Sequence, residues 1–375
     1  MHLTQLQSAT TAQGPFTSAH LDVTRTGPPP DNELRLRWAA VRRDLHDQGA
    51  PDDAIEAVGE RVLSATGRHG EAARSVVAGV EGVLLDRLLP NRPARDCGVY
   101  GPVPDLVPIA RAIDSSLTYL LVEVDRSGAD LSVVDSLAGQ LEEHGVEGGH
   151  DELHKVAGGG VAQRRYQNRV EDSWERNAEV VARDLTRVVE RHRPDLILVT
   201  GDQVARSAVR EHLGRTVLDL VVSLDGGGRG EGVHRDSLDA DIGAALDRHR
   251  QMRTGDALAR FAEVSGRGAP AASGLADVVT ALSAGAVETL VLHAETLAEQ
   301  QLWAGRQPLH LGTSADAVRA LGADDVVPGR ADAVLVRALV AQGGEVEFVD
   351  VAEMLPGNIG AVLRFDVRGP GSEGG

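Results

Sequence analysis

Tyr166, Val170, Trp174, Ala178, Val181, Leu185 and Val188 stand 4, 4, 4, 3, 4 and 3 residues apart, and this stripe constrains the fold more than any other feature of the sequence. Spacing of that kind puts all seven on one face of a helix of about six turns. A helix so long, apolar along one face only, needs a broad apolar surface to cover it. Flanking segments supply one. Leu117 to Val124 has a buried-strand pattern, Arg126-Ser127-Gly128-Ala129 a turn, and Asp130 to Val134 the returning strand of a hairpin. Beyond Arg193-Pro194 come a strand at Leu196 to Thr200, a helix at Gln203 to Leu213 and a strand at Val217 to Val222. A glycine-rich loop, Gly226 to Gly232, and a helix from Leu238 to Thr254 follow. This alternation predicts a mostly parallel α/β layer.

Upstream, the alternating stretch Phe16 to Val23 predicts a strand, and Leu34, Trp38, Val41 and Leu45 form the stripe of a helix that Asp31 or Asn32 can cap. Pro51 to Ser64 follows as a helix, then Ser75 to Val80 and Val83 to Leu89 as strands joined at Glu81-Gly82. Pro90, Pro93, Gly98, Gly101, Pro102, Pro104 and Pro108 make the next stretch poor material for either regular element, as expected near a domain boundary. A second such stretch runs from Gly266 to Gly274. After it come helix Leu275 to Ala284, strand Thr289 to His293, a polar middle, helix Ala331 to Gln342, strand Glu345 to Val349 and strand Ala361 to Val367. The expected fold class is α/β with some α+β elements, in three domains: 1–112, 113–270 and 271–375.

The 375 residues suffice for two or three domains of about 100–200 residues each, so neither disulfides nor structural metals are needed for folding. Cys97 is the single cysteine, which excludes an internal disulfide framework and fits a reducing compartment. The N-terminal residues lack a basic segment followed by an apolar run, and no stretch reaches the roughly 18 apolar residues that span a bilayer. A cytoplasmic protein with no membrane partner is expected. The formal net charge of −18 opposes nonspecific binding to nucleic acid, so DNA is not expected as a partner and any RNA must meet a local patch.

One such patch exists. Between Leu153 and Val170 stand Lys155, Arg164, Arg165 and Arg169, with no acid among them, and Lys155 is the only lysine in the chain. Gly158, Gly159 and Gly160 let the backbone approach a ligand closely, and the helix that follows presents unpaired N–H groups at its positive end. Together these suit a phosphate backbone. The same composition also suits a loop whose arginines solvate a helix start, and composition alone does not choose. On the helix of the first domain Arg35, Arg37, Arg42 and Arg43 lie mostly off the apolar stripe, as an RNA-facing surface or as ordinary solvation. His150 and His154 are four residues apart, yet Glu does not follow the first of them and no third ligand is evident, so solvated histidines are expected rather than a metal site. Gly226 to Gly232 spells neither a dinucleotide fingerprint nor a P-loop, and Cys97 has no partner motif. No cofactor is expected.

Four stretches carry a resemblance: Val122-Glu-Val-Asp-Arg-Ser-Gly-Ala129, Gly158 to Arg169, Leu282-Ser-Ala-Gly-Ala-Val-Glu-Thr-Leu-Val291 and Gly357-Asn-Ile-Gly-Ala-Val-Leu-Arg-Phe365. They resemble the bacterial archaeo-eukaryotic release factor family, the bacterial offshoot of class-I peptide release factors and Pelota, which includes a ribosome hibernation factor. The resemblance spans roughly 113–375 and is weak before that. It implies a three-domain architecture in which the central domain carries a Gly-Gly-Gln loop into the ribosomal peptidyl-transferase centre. There the glutamine helps place the water that attacks peptidyl-tRNA, by positioning and electrostatics.

Here Gly160 or Val161, depending on register, follows two glycines, so that glutamine is missing. Gln163 stands three residues after Gly160, similar to the Gly-x-x-Gln spacing of quality-control relatives that cleave peptidyl-tRNA, and Arg165-Tyr166 resembles the family's Arg-Phe. The codon-reading Asn-Ile-Lys-Ser motif has no counterpart in 1–112. From Ala272 onward 6 basic residues face 14 acidic ones, which favours protein over RNA contact. By resemblance, elongation factor Tu is the candidate partner there.

The expectation is a factor that binds the ribosomal A site of idle or stalled ribosomes irrespective of codon, of the hibernation type. Lys155, Gly158, Gly159, Gly160, Arg164, Arg165 and Arg169 would meet ribosomal RNA. The alternative is a peptidyl-tRNA hydrolase in which Gln163 positions water.

Overall fold

The computed structural model describes residues 3–24, 31–67, 71–93, 95–147, 161–229, 235–350 and 355–367, and at 31 and 161–173 the path of the main chain. The chain divides into two compact units, one of Met1–Ser115 with Met252–Gly375 and one of Ser116–Gln251.

In the first unit a short 3₁₀ turn leads into α1 (Gln7–Thr11), β1 (Phe16–Asp22), α2 (Asp31–Asp47), α3 (Asp52–Leu63), β2 (Ala73–Gly79), β3 (Gly82–Leu89), β4 (Cys97–Gly101) and α4 (Val107–Asp114). The strands form an antiparallel sheet in the order β3-β2-β1-β4. The stripe Trp38, Val41 and Leu45 of α2 packs with Ile55, Val58 and Val62 of α3 onto Ala19, Leu21, Val76 and Ala78. β1 is buried on both faces, so its alternation separates an apolar side from a polar side that holds Ser18, His20 and Asp22. The proline-rich stretch is more regular than its composition suggests. Pro108 occupies the start of α4, where a missing N–H costs nothing, and Gly98 sits in β4 because a Cβ there would lie 2.6 Å from Leu45 Cγ.

The second unit contains β5 (Thr118–Val124), β6 (Gly128–Asp135), β7 (Gly139–Glu147), α5 (Val161–His192), β8 (Leu196–Gly201), α6 (Gln203–Glu211), α7 (Arg215–Leu218), β9 (Val221–Ser223) and the first part of α8 (Arg235–Gly266). The sheet order is β7-β6-β5-β8-β9, with β5, β8 and β9 parallel and the hairpin strands antiparallel. Leu120, Val122 and Val124 face the α5 stripe, whereas Leu117 and Leu121 face Leu238, Ile242 and Leu246 of α8. Cover on both faces is why the strand reads as one continuous apolar run. The hairpin and the long helix match the sequence reading. The strand expected at Val217 to Val222 is instead one turn of helix followed by a three-residue strand.

Gly201 ends β8 with φ +112, and a Cβ there would lie 1.9 Å from the Val124 carbonyl oxygen. Gly201→Ala should therefore lower stability by about 3 kcal/mol, through backbone overlap and a disfavoured φ together. Gly214→Ala, where the added Cβ meets nothing within 4 Å, should cost under about 1 kcal/mol in the same denaturant titration.

The rest of the first unit holds β10 (Ala271–Ser273), α9 (Leu275–Ser283), β11 (Val287–Leu292), α10 (Ala294–Ala298), β12 (Gln301–Ala304), β13 (Leu311–Gly312), α11 (Ala315–Ala320), β14 (Val327–Arg330), α12 (Ala331–Ala341), β15 (Glu345–Phe348) and β16 (Ile359–Leu363). One sheet has the order β10-β16-β11-β15, with only β11 and β15 parallel, and a smaller one the order β13-β12-β14. α12 is buried at every position from Ala331 to Val340, packed against α1 and α4 as well as α9 and α10. A helix covered all round must be apolar or internally paired, and its two charged residues are paired: Asp332 with Arg330 and Arg337 with main-chain carbonyls.

Candidate functional site

α5 is 32 residues long, about 48 Å. Ala178, Val181, Ala182, Leu185 and Val188 seat its C-terminal part on the sheet. Gln163, Arg164, Arg165 and Arg169 stand on its first turns, where the main chain alone is described. Lys155, Gly158, Gly159 and Gly160, like His150 and His154, lie outside the described residues. Among the described residues no group of three or more His, Cys, Asp or Glu is placed to hold a metal ion.

The first described side chains of α5 meet the β5–β6 turn. The Arg126 guanidinium lies over the Trp174 ring, 4.3 Å from its centroid. Arg126 Nε is 3.4 Å from Asp202 Oδ2, and Asn177 Nδ2 donates to the Arg126 carbonyl at 3.1 Å. Asp202 caps α6, accepting from the N–H groups of Val204 and Ala205 at 2.9 and 3.0 Å. The Ala205 N–H holds its carboxyl below the usual range, with help from Arg126. Trp174 also borders an apolar notch lined by Val181, Val204, Ala208 and Val209.

The turn itself is closed by Asp125, whose Oδ1 accepts from Ser127 N, Ser127 Oγ and Gly128 N at 2.7, 2.6 and 2.9 Å. Burial pushes this carboxyl up, but the Ser127 donors and Arg229 outweigh it and the net shift is downward.

The glycine-rich loop after β9 has a structural account. Gly227 and Gly228 take φ values of +99 and +152, and Arg229 turns inward to grip Asp130 through Nε and Nη2 at 2.9 and 3.0 Å. Arg229 Nη1 also reaches Asp125 at 3.2 Å. An arginine saturated by two carboxylates is not waiting for a phosphate. Burial raises the carboxyl of Glu123, which has Arg235 3.9 Å away.

In the first unit Arg35, Arg42 and Arg43 are exposed on α2, whereas Arg37 is paired with Asp22 and Glu33 at 2.5 and 2.7 Å. His20 Nδ1 lies 2.6 Å from Ser75 Oγ, and its Nε2 is 3.6 Å from Asp105 Oδ2, an order of groups that resembles a nucleophile, base and acid. Ser75 is fully buried and Asp105 is tied to Arg330 at 3.0 Å, so no substrate reaches the hydroxyl. The Cys97 thiol is pushed up to about 11 by burial, and stays protonated at neutral pH. Sequence reasoning placed Arg126 in a turn and Trp174 in a stripe but missed that the two meet.

The second unit is an α/β layer that holds a long helix whose first turns carry three arginines. Residues 118–267 match the family model described as bacterial archaeo-eukaryotic release factor family 2. Over that range, about 40% of the chain, the protein is similar to the release-factor-like domains that this family model describes. Two uncharacterized proteins of Mycobacterium tuberculosis, Rv2629 of strain H37Rv and MT2704 of strain CDC 1551, are each 26% identical over 367 residues, covering 97% of this chain and 97% of each relative. A crystal structure of Archaeoglobus fulgidus Pelota aligns at 14% identity over 98% of this chain and 92% of that one, with a TM-score of 0.38. Among the described residues no helix is long and apolar enough to cross a membrane.

Proposed function

We propose that this protein is a ribosome-associated, release-factor-like factor of the hibernation type, which occupies the A site of idle or stalled ribosomes without reading a codon. The observation that carries the proposal is the family match over 118–267 together with the basic residues Lys155, Arg164, Arg165 and Arg169, close together in a chain of net charge −18 and, from Arg164 on, at the start of α5. Such an island is suited to the phosphates of ribosomal RNA around the peptidyl-transferase centre. The Gly158, Gly159 and Gly160 run lacks the following glutamine, and 1–112 lacks a codon-reading motif, so binding rather than termination is the reading. In this proposal the modules are 1–112 on the decoding side, 113–270 carrying the loop, and the acidic 271–375 facing a protein such as elongation factor Tu, in the cytoplasm.

The test is to mix the full chain with vacant ribosomes and with ribosomes carrying labelled peptidyl-tRNA, then pellet both. Pelleting with vacant ribosomes and no released label is expected. Gly159→Asp combined with Arg165→Glu should weaken binding by about 10-fold or more and reduce the slope of log affinity against log salt by about 0.7 to 0.9 for each phosphate no longer neutralised. Binding unchanged by that double variant removes the loop from the interface. A second reading rests on Gln163 at its Gly-x-x-Gln spacing: released label that disappears in Gln163→Ala would make the protein a peptidyl-tRNA hydrolase.

A further inference from the structure

The β5–β6 turn, α5 and the cap of α6 meet at one polar joint. Arg126 stacks on Trp174 at 4.3 Å, pairs with Asp202 at 3.4 Å and receives Asn177 on its carbonyl at 3.1 Å. These partners come from two different elements, and Asp202 is itself fixed by two backbone N–H groups. Beyond this joint, towards the N-terminus, residues 161–173 continue α5 for about 20 Å. Over that length a change in direction of about 10° moves the helix start by about 3.5 Å. Recognition of RNA phosphates, or of a reacting ester, tolerates about 1 Å. A lever of this length needs a stop near its base. Trp174 borders an apolar notch rather than a filled core, so the ring is steadied by the guanidinium over it as well as by packing.

We infer that Arg126 and Trp174 are positioning residues, a stacked clamp that fixes the direction of the first turns of α5, which carry Gln163, Arg164, Arg165 and Arg169. The inferred consequence for binding rests on the proposed function; the clamp itself does not. Arg126 acts through the helix and not by touching the ligand.

The experiment uses the full chain with Cys97→Ser, spin-labelled at Ala162→Cys and Glu211→Cys, with the distance distribution read by pulsed electron paramagnetic resonance. Arg126→Gln and Trp174→Leu should broaden the distribution and shift its mean, and weaken binding to vacant ribosomes by about 5-fold, at an unchanged thermal midpoint. Trp174→Phe, which keeps an aromatic face, should restore both. A distribution in Arg126→Gln that superimposes on the parent overturns the clamp. So does weaker binding without a change in distance, because Arg126 would then be contacting the ribosome directly. A parent chain that fails to pellet with vacant ribosomes removes the A-site reading, while distances that respond to Arg126→Gln still support the clamp.

Discussion

Arg337→Ala should lower the stability of the first unit by about 3–5 kcal/mol, among the largest single-residue effects expected in the chain. Arg337 is 3% exposed in the middle of α12, and it hydrogen-bonds three backbone carbonyls: Thr10 through Nε at 3.1 Å, Gly305 through Nη1 at 3.0 Å and Arg306 through Nη2 at 2.6 Å. Burial draws the guanidinium down to about 10, which leaves it charged at neutral pH. Alanine would strand three acceptors, each at a cost of about 1–3 kcal/mol, and open a cavity besides. Arg337→Met fills the cavity without restoring the donors and should recover less than half of the stability. Guanidinium titration of both variants separates the two contributions. A drop of under about 1 kcal/mol in Arg337→Ala would mean that the three carbonyls find other partners.

The second large effect is a dependence on pH. Asp114, at the end of α4, accepts from Arg253 Nη2 at 2.8 Å and from Phe348 N at 3.1 Å, and Arg253 Nε is 3.5 Å from Glu347 Oε2. Two buried carboxyls thus share one guanidinium, while Thr254 Oγ1 donates to Glu347 at 2.7 Å and Arg111 stands farther off, over Phe348. Burial, and then the charge of Glu347, push Asp114 up to about 7 from an ordinary 3.8, with Arg253 opposing.

Because the folded state holds this proton more tightly than the unfolded chain, the stabilisation is complete below the unfolded value and is lost as pH rises through about 7. Between pH 5 and 8 the parent should lose on the order of 2 kcal/mol. Asp114→Asn should flatten that dependence and leave the variant more stable than the parent at pH 8. Thermal melts of both proteins across this range decide it, and parallel curves would show that Arg253 keeps Asp114 ionised throughout.

What the sequence made legible follows physical size. The stripe from Trp174 to Val188 and the strands at Leu117 to Val124 and Leu196 to Thr200 bury many apolar side chains at a fixed period, so pattern alone locates them. β7 was missed because Glu142, Glu143 and His144 make it polar, which is how an edge strand is protected from aggregation. The polar middle between Ala294 and Arg330 conceals α10, β12, β13, α11 and β14, each of two to six residues, too short to show a period and held by pairing with one another and with α12.

At the candidate site, the basic residues announced themselves by charge in an acidic chain. Arg126 with Trp174, and Arg229 with Asp130, did not, because these pairs are 48 and 99 residues apart and only the folded sheet brings them together.

α12 also sets an order of events during synthesis. The Thr10 carbonyl and the Arg337 guanidinium are separated by 327 positions, so at about 5–20 residues per second the first segment waits roughly 15–65 seconds for the helix that completes it. The Ser116–Gln251 unit, whose sheet and helices are contiguous in the chain, can fold within that interval. During it, the surfaces of α1 and α4 that α12 covers are open to chaperones and proteases. A nascent chain interrupted before Ala331 would therefore present a finished release-factor-like domain behind an unfinished N-terminal segment.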